Sequence, residues 1–203
     1  MQQPRGRQRG TTLIETLAAT AVMTVLGGTL MVLTTSARNV FWADTTLTEL
    51  SGYLDASTEQ LKKDIWKAVD AGAGGACPTP AGPLPIGVTQ WLCLDMGPAN
   101  PGVYKAGDVR YIIQNPPVVL PPVPPSPDVR LIRQVYNGAA WTQARTMAHY
   151  VQFNAGALPT VAVAGAPSKG KLVTFGIAVQ KSAVGIPPMK RSIAKVKYHL
   201  QTP

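Results

Sequence analysis

Two histidines, two cysteines and ten carboxylates are all that this 203-residue chain offers for binding a metal or moving a proton. Four-cysteine zinc coordination is excluded by count. A mixed site from Cys77, Cys93, His149 and His199 has no ligand spacing to recommend it. After residue 70 the acids are Asp95, Asp108 and Asp128, nothing groups them in the sequence, and no Asp or Glu follows. Gly165, Gly170 and Lys171 have the spacing of a phosphate-binding loop, yet Leu172 stands where magnesium needs Ser or Thr, and a strand pattern follows where a helix is needed. That segment reads as a hairpin turn. Gly72, Gly74 and Gly75 follow a helical pattern rather than a strand, so they are no dinucleotide fingerprint. With no Gly-x-Ser-x-Gly either, the expectation is a non-enzyme without cofactor or metal.

Cys77 and Cys93 enclose a stretch rich in Pro and Gly. Outside a reducing compartment they would close a disulfide loop that contributes about 3 kcal/mol; inside one they would be two buried thiols. Charge is the other chemical resource. The net charge is +9, but residues 1–128 hold 9 basic and 10 acidic side chains, while residues 129–203 hold ten basic ones and no acid. Arg130, Arg133, Lys181, Lys190, Arg191, Lys195 and Lys197 are therefore candidates for contact with DNA phosphates or acidic partners; the alternative is a solvated sheet face.

These groups need elements to position them. Leu13 to Leu33 is a run of 21 residues, 14 of them Ala, Val, Ile, Leu or Met. As a helix it is about 31 Å long, enough to cross a bilayer core, and Arg5, Arg7 and Arg9 before it would hold the N-terminus on the cytoplasmic side. The Gly27-Gly28 pair is a point where it could bend. Glu15 is an acid just inside the span, where a carboxylate either has a partner or sits at the interface with water. An ordinary secretory signal ending in Thr35-Ser36-Ala37 is the competing reading, and would release a soluble protein from Arg38; the apolar run is longer than such signals need.

Gly10-Thr11-Thr12-Leu13-Ile14-Glu15 followed by this helix resembles the class III leader of type IV pilins and type II secretion pseudopilins. The resemblance implies that a prepilin peptidase cuts between Gly10 and Thr11, that Thr11 is then N-methylated, and that Glu15 pairs with a neighbouring subunit's N-terminal amine during filament assembly. It also implies a single-pass protein of the bacterial inner membrane with its head outside. The partners would be other pilins or pseudopilins and the inner-membrane assembly platform, and the end product a cell-surface or periplasmic filament. Val32 stands near where many major pilins carry a kinking Pro, which favours a minor subunit of a pilus, a secretion pseudopilus or a DNA-uptake system.

The rest of the chain divides accordingly: leader 1–10, membrane half of the helix 11–35, amphipathic half 36–70 and head 71–203. In the second half Val40, Leu47, Leu50, Leu54, Leu61, Ile65 and Val69 recur at helical steps between charged residues. Gly52 weakens the helix, and the Gly72, Gly74, Gly75 cluster is expected to end it. Seven prolines in residues 116–127 form a stiff connection. Strands are expected at Val109–Gln114, Val129–Tyr136, Ala148–Phe153, Thr160–Val163, Leu172–Gln180 and Ile193–Leu200, the last two a hairpin joined through Gly185–Pro188. Their order is similar to that of J-type minor pseudopilins and W-type minor pilins. The expected fold is α+β, a long N-terminal helix packed on an antiparallel sheet with its other face open to water.

Overall fold

A computed structural model describes residues 12–77, 84, 86–97, 103–115, 128–152, 159–165, 171–183 and 186–200. They belong to two compact units, the first ending at Asp44 and the second beginning at Thr45. Helix α1, Leu13–Lys67, is continuous across that boundary.

In the first unit α1 exposes its apolar side chains on all sides, from Leu13 and Ile14 through Met23, Leu30 and Leu33. Among its described residues none is buried, and only Trp42 and Ala43 are half-buried. Gly27 and Gly28 do not interrupt the helix, and an added Cβ at either would meet nothing within 4 Å.

In the second unit the same helix turns amphipathic. Its buried stripe is Thr46, Leu50, Leu54, Ser57, Leu61, Asp64 and Ile65; the steps up to Asp64 are threes and fours, and Ile65 lies four past Leu61, so all fall on one face. Val40, expected in this stripe, is exposed in the first unit. The helix passes through Gly52 and ends at Lys67, before the glycine cluster; Gly72 lies in strand β1 (Asp70–Ala73) and Gly74 starts a 3-10 turn.

Two antiparallel sheets complete the head. The larger has the order β1, β2 (Val88–Asp95), β3 (Val109–Gln114), β4 (Arg130–Tyr136), β5 (Trp141–Ala148). The smaller has the order β6 (Thr160–Ala164), β7 (Leu172–Ala183), β8 (Ile186–His199). A lone bridge between Val151 and Val179 ties the chain after β5 to β7. Leu50, Leu61 and Ile65 of α1 join Leu92, Leu94, Tyr111, Ile113, Leu131, Val173, Phe175 and Ile177 in one core. Trp91 stands edge-on to both Tyr111 and Phe175, at 6.5 and 6.2 Å, so one side chain knits the two sheets. Each such large apolar group contributes about 1.5–3 kcal/mol when fully buried. The helix on antiparallel sheets, with a disulfide between Cys77 and Cys93, is the α+β architecture expected.

Several local expectations are corrected. The strand placed at Ala148–Phe153 ends at Ala148 and lies upstream, over Trp141–Ala148. Tyr150 has φ 57°, a left-handed conformation that turns the chain and stops an extended run; Phe153 is outside the described residues. β8 starts at Ile186 and so takes Pro187 and Pro188 into a strand. That is tolerated because β8 is a sheet edge and needs no ladder bonds on its outer side. Nor does the larger sheet leave one face to water: Arg110 and Ile112 are buried on the side away from Tyr111 and Ile113. The proline run 116–127 is outside the described residues.

Candidate functional site

At the start of α1, Gly10 and Thr11 lie outside the described residues. Thr12 and Glu15 form a reciprocal cap: the Thr12 N–H donates to Glu15 Oε2 at 3.1 Å, and the Glu15 N–H donates to Thr12 Oγ1 at 3.4 Å. This satisfies two of the N–H groups that a helix start leaves without partners. Further along, the hydroxyls of Thr16, Thr20, Thr24, Thr29, Thr34 and Thr35 all donate to carbonyls three or four residues back, at 2.8–3.1 Å. Back-bonding of this kind removes the threonine donors from the surface, so the helix presents methyl groups rather than hydroxyls.

Inside the head the acids and bases interlock. Asp64, 3% exposed on the buried stripe of α1, accepts from the Tyr111 hydroxyl at 2.6 Å, from Arg133 Nε at 2.6 Å and Nη2 at 3.2 Å, and from Gln60 Nε2 at 3.0 Å. Burial, then the charge of Asp64, pushes the Tyr111 phenol far above its usual range. Burial alone would lower Arg133; its hydrogen bonds to Asp64 and the carboxylate's charge outweigh that and raise it. The Ser57 hydroxyl lies 2.6 Å from Tyr53 O and 3.1 Å from Met147 O, tying the helix to β5.

The predicted cations divide. Arg133 is in this buried pair. Lys181 donates to Glu49 at 2.7 Å, a hydrogen bond that lowers the carboxyl and raises the amine. Arg130 pairs with Asp128 at 2.7 Å. Lys171 pairs with Asp70 and donates to Ala71 O, and the next residue starts β7, so the phosphate-loop spacing leads into a strand. Lys190, Arg191 and Lys197 are exposed on β8 and, among the described residues, form no ion pair. They do not converge: Lys190 and Lys197 stand opposite Gln180 and Thr174, on one face, and Arg191 opposite Val179, on the other. Lys195 is in β8, with its side chain outside the described residues. Four of the predicted or neighbouring cations are thus engaged within the head.

The disulfide joins the turn after β1 to β2, with Cα atoms 5.8 Å apart. Gly72 lies against it, where a Cβ would meet Ala76 O at 2.8 Å and Cys93 Sγ at 3.0 Å. A zinc site using both sulfurs is overturned by that bond; His149 faces Asp128 at 2.9 Å instead, and His199 is exposed on β8. Asp95 and Asp108, ungrouped in the sequence, come together with Asp70 around a cavity of about 210 Å³ beside the disulfide. Burial, then the Asp108 charge, raises the Asp95 carboxyl despite the Gly97 N–H that it accepts. Asp108 accepts the Met96 and Lys105 N–H groups; Asp128 is elsewhere, with Arg130 and His149. Among the described residues no group of three His, Cys, Asp or Glu could hold a metal.

Sequence reasoning missed Asp64, Ser57 and Tyr111. The signal was present: Leu50, Leu54, Ser57, Leu61 and Asp64 continue one stripe at steps of four, three, four and three, so the two polar members were marked as inward-facing.

No known protein family, curated protein or solved structure matches the chain.

What the geometry offers is a long apolar helix half and a folded head. The helix half is long and apolar enough to cross a membrane, and none of its apolar window is buried by the protein.

Proposed function

We propose that the chain is a minor pilin or pseudopilin, a structural subunit that is stored in the bacterial inner membrane by its N-terminal helix and assembled into, or starts, a type IV pilus or type II secretion pseudopilus. The observation that carries the reading is α1 itself. One uninterrupted helix is apolar on every side in its first half, with its threonines turned inward on the backbone, and becomes amphipathic where it supports a β-sheet head. The sequence Gly10-Thr11-Thr12-Leu13-Ile14-Glu15 adds a processing site at its start.

In this reading the peptidase removes residues 1–10 and leaves an amine on Thr11, which becomes methylated. Glu15 is the only acid of the apolar run, and a carboxylate there is stabilised by a cation brought by a neighbouring N-terminus. In the filament the apolar half exchanges lipid for other helices, and the head faces outward. The assembly force comes from a separate ATPase. Among the candidates with described side chains, DNA contact by the head would fall to Lys190, Arg191 and Lys197, since Arg133 and Lys181 are spent on internal partners.

The deciding experiment is the N-terminus and intact mass of the mature protein from native membranes. A chain that begins with methylated Thr11 is the expected result. One that begins at Arg38 would overturn the reading and make this a secreted, basic, β-rich protein, for which salt-dependent DNA binding becomes the next test.

A further inference from the structure

We infer that Arg38, Phe41 and Trp42 form a lipid-interface anchor that fixes the depth of α1 at the membrane surface nearest the head. The inference rests on the membrane reading above and adds to it a specific contact, with phospholipid headgroups. Residues 38, 41 and 42 are spaced i, i+3, i+4, so they share one face of the helix. Arg38 is exposed, Phe41 is 71% exposed and Trp42 is half-buried.

Their position along the helix matches a bilayer. From Thr16 to Ala37 there are 22 residues without a charge, about 33 Å of helix against a hydrocarbon core of about 30 Å. Glu15 and Arg38 bracket that stretch. From Glu15 to Trp42 the helix rises about 40 Å, the thickness of a bilayer including its headgroups. Arg38 therefore arrives at the phosphates, and Phe41 and Trp42 follow within one turn, at headgroup depth, where the Trp42 indole can set its N–H among headgroup oxygens. Asp44, two residues on, marks the return to water.

The test places the full-length chain in vesicles of phosphatidylcholine and phosphatidylglycerol that carry nitroxide labels either at the headgroup or deep in the acyl chain. The Trp42 signal is the difference between the parent chain and Trp42→Phe, and resistance to alkaline carbonate reports insertion. The expected result is a carbonate-resistant protein whose Trp42 is quenched more by the headgroup label than by the deep one. In Arg38→Gln that preference should shift toward the deep label, because the phosphate tether is gone. Inserted protein whose Trp42 ignores both lipid labels, or is quenched by aqueous iodide as fully as the exposed Trp66, would sink the interface anchor and leave the membrane reading standing. Release of the whole chain by carbonate would sink both.

Discussion

Asp64 carries the sharpest prediction at the scale of single residues. Its neighbours give it a guanidinium, a phenol and an amide, and removing one partner of a buried ion pair costs about 3–5 kcal/mol because the other charge stays behind unpaired. Asp64→Ala should therefore lower the head's thermal midpoint severely. A triple change, Asp64→Leu with Arg133→Met and Tyr111→Phe, should recover most of that loss, since no charge is left buried. Thermal unfolding followed by near-ultraviolet circular dichroism measures both. Asp95 predicts the opposite sign. Its carboxyl is raised by burial and by the nearby Asp108 charge, so the folded state holds its proton more tightly than the unfolded one. Its ionisation weakens the fold as pH rises through that raised value. Asp95→Asn keeps the acceptor for the Gly97 N–H and should be more stable than the parent at pH 7, with the advantage vanishing below the ordinary carboxylate range. Glu49 runs the other way: it is lowered by Lys181, so its contribution is present at neutral pH and is lost on acidification.

Among elements, α1 was legible almost whole, and the reason is its patterning. An apolar run long enough for a membrane followed by a three-four stripe admits few other structures. What the pattern hid was its end. Glycines weaken helices by up to about 1 kcal/mol each, so a cluster at Gly72–Gly75 looked like a terminator, whereas the chain leaves the helix at Lys67 and uses Gly72 for close approach to the disulfide. Two substitutions separate these roles. Gly52→Ala meets open space on an exposed helix face and should stabilise by about 0.5–1 kcal/mol. Gly72→Ala drives a methyl into Ala76 O and Cys93 Sγ, and should destabilise by about 1–3 kcal/mol. Paired thermal melts decide. Strands β3, β4, β6 and β7 were visible because Val, Ile, Tyr and Phe concentrate there. β5 was not, because Trp141–Ala148 mixes Thr, Gln, Ala and Arg and holds register with two irregular steps against β4. β1 and β2 were masked by the glycines and prolines around them.

For the molecule as a whole, the uneven distribution of charge suggests a basic surface, and the head shows another use for it. Acids from the first 128 residues meet bases from the last 75: Glu49 with Lys181, Asp64 with Arg133, Asp70 with Lys171, Asp128 with Arg130. A sequence cannot say which of its charges will meet, so the count was legible and the pairing was not. The disulfide was foreseen as one of two states, and its contribution can be measured. Reduction should remove about 3 kcal/mol for a loop of this length, seen as a lower midpoint in dithiothreitol that Cys77→Ser reproduces without the reductant.

The same pairing sets a timetable for a chain that is made from its N-terminus. Glu49 lies 132 residues before Lys181, and Asp64 lies 69 before Arg133. At about 5–20 residues per second of synthesis, Glu49 waits roughly 7–26 s for its cation. During that interval the disulfide can already close, because Cys77 and Cys93 are only 16 apart. The inward stripe of α1, with its uncompensated carboxylate at Asp64, stays open until β4 and β7 have been translated. A ribosome stalled before residue 133 would therefore hold an unlocked head, the stage at which a chaperone has most to protect.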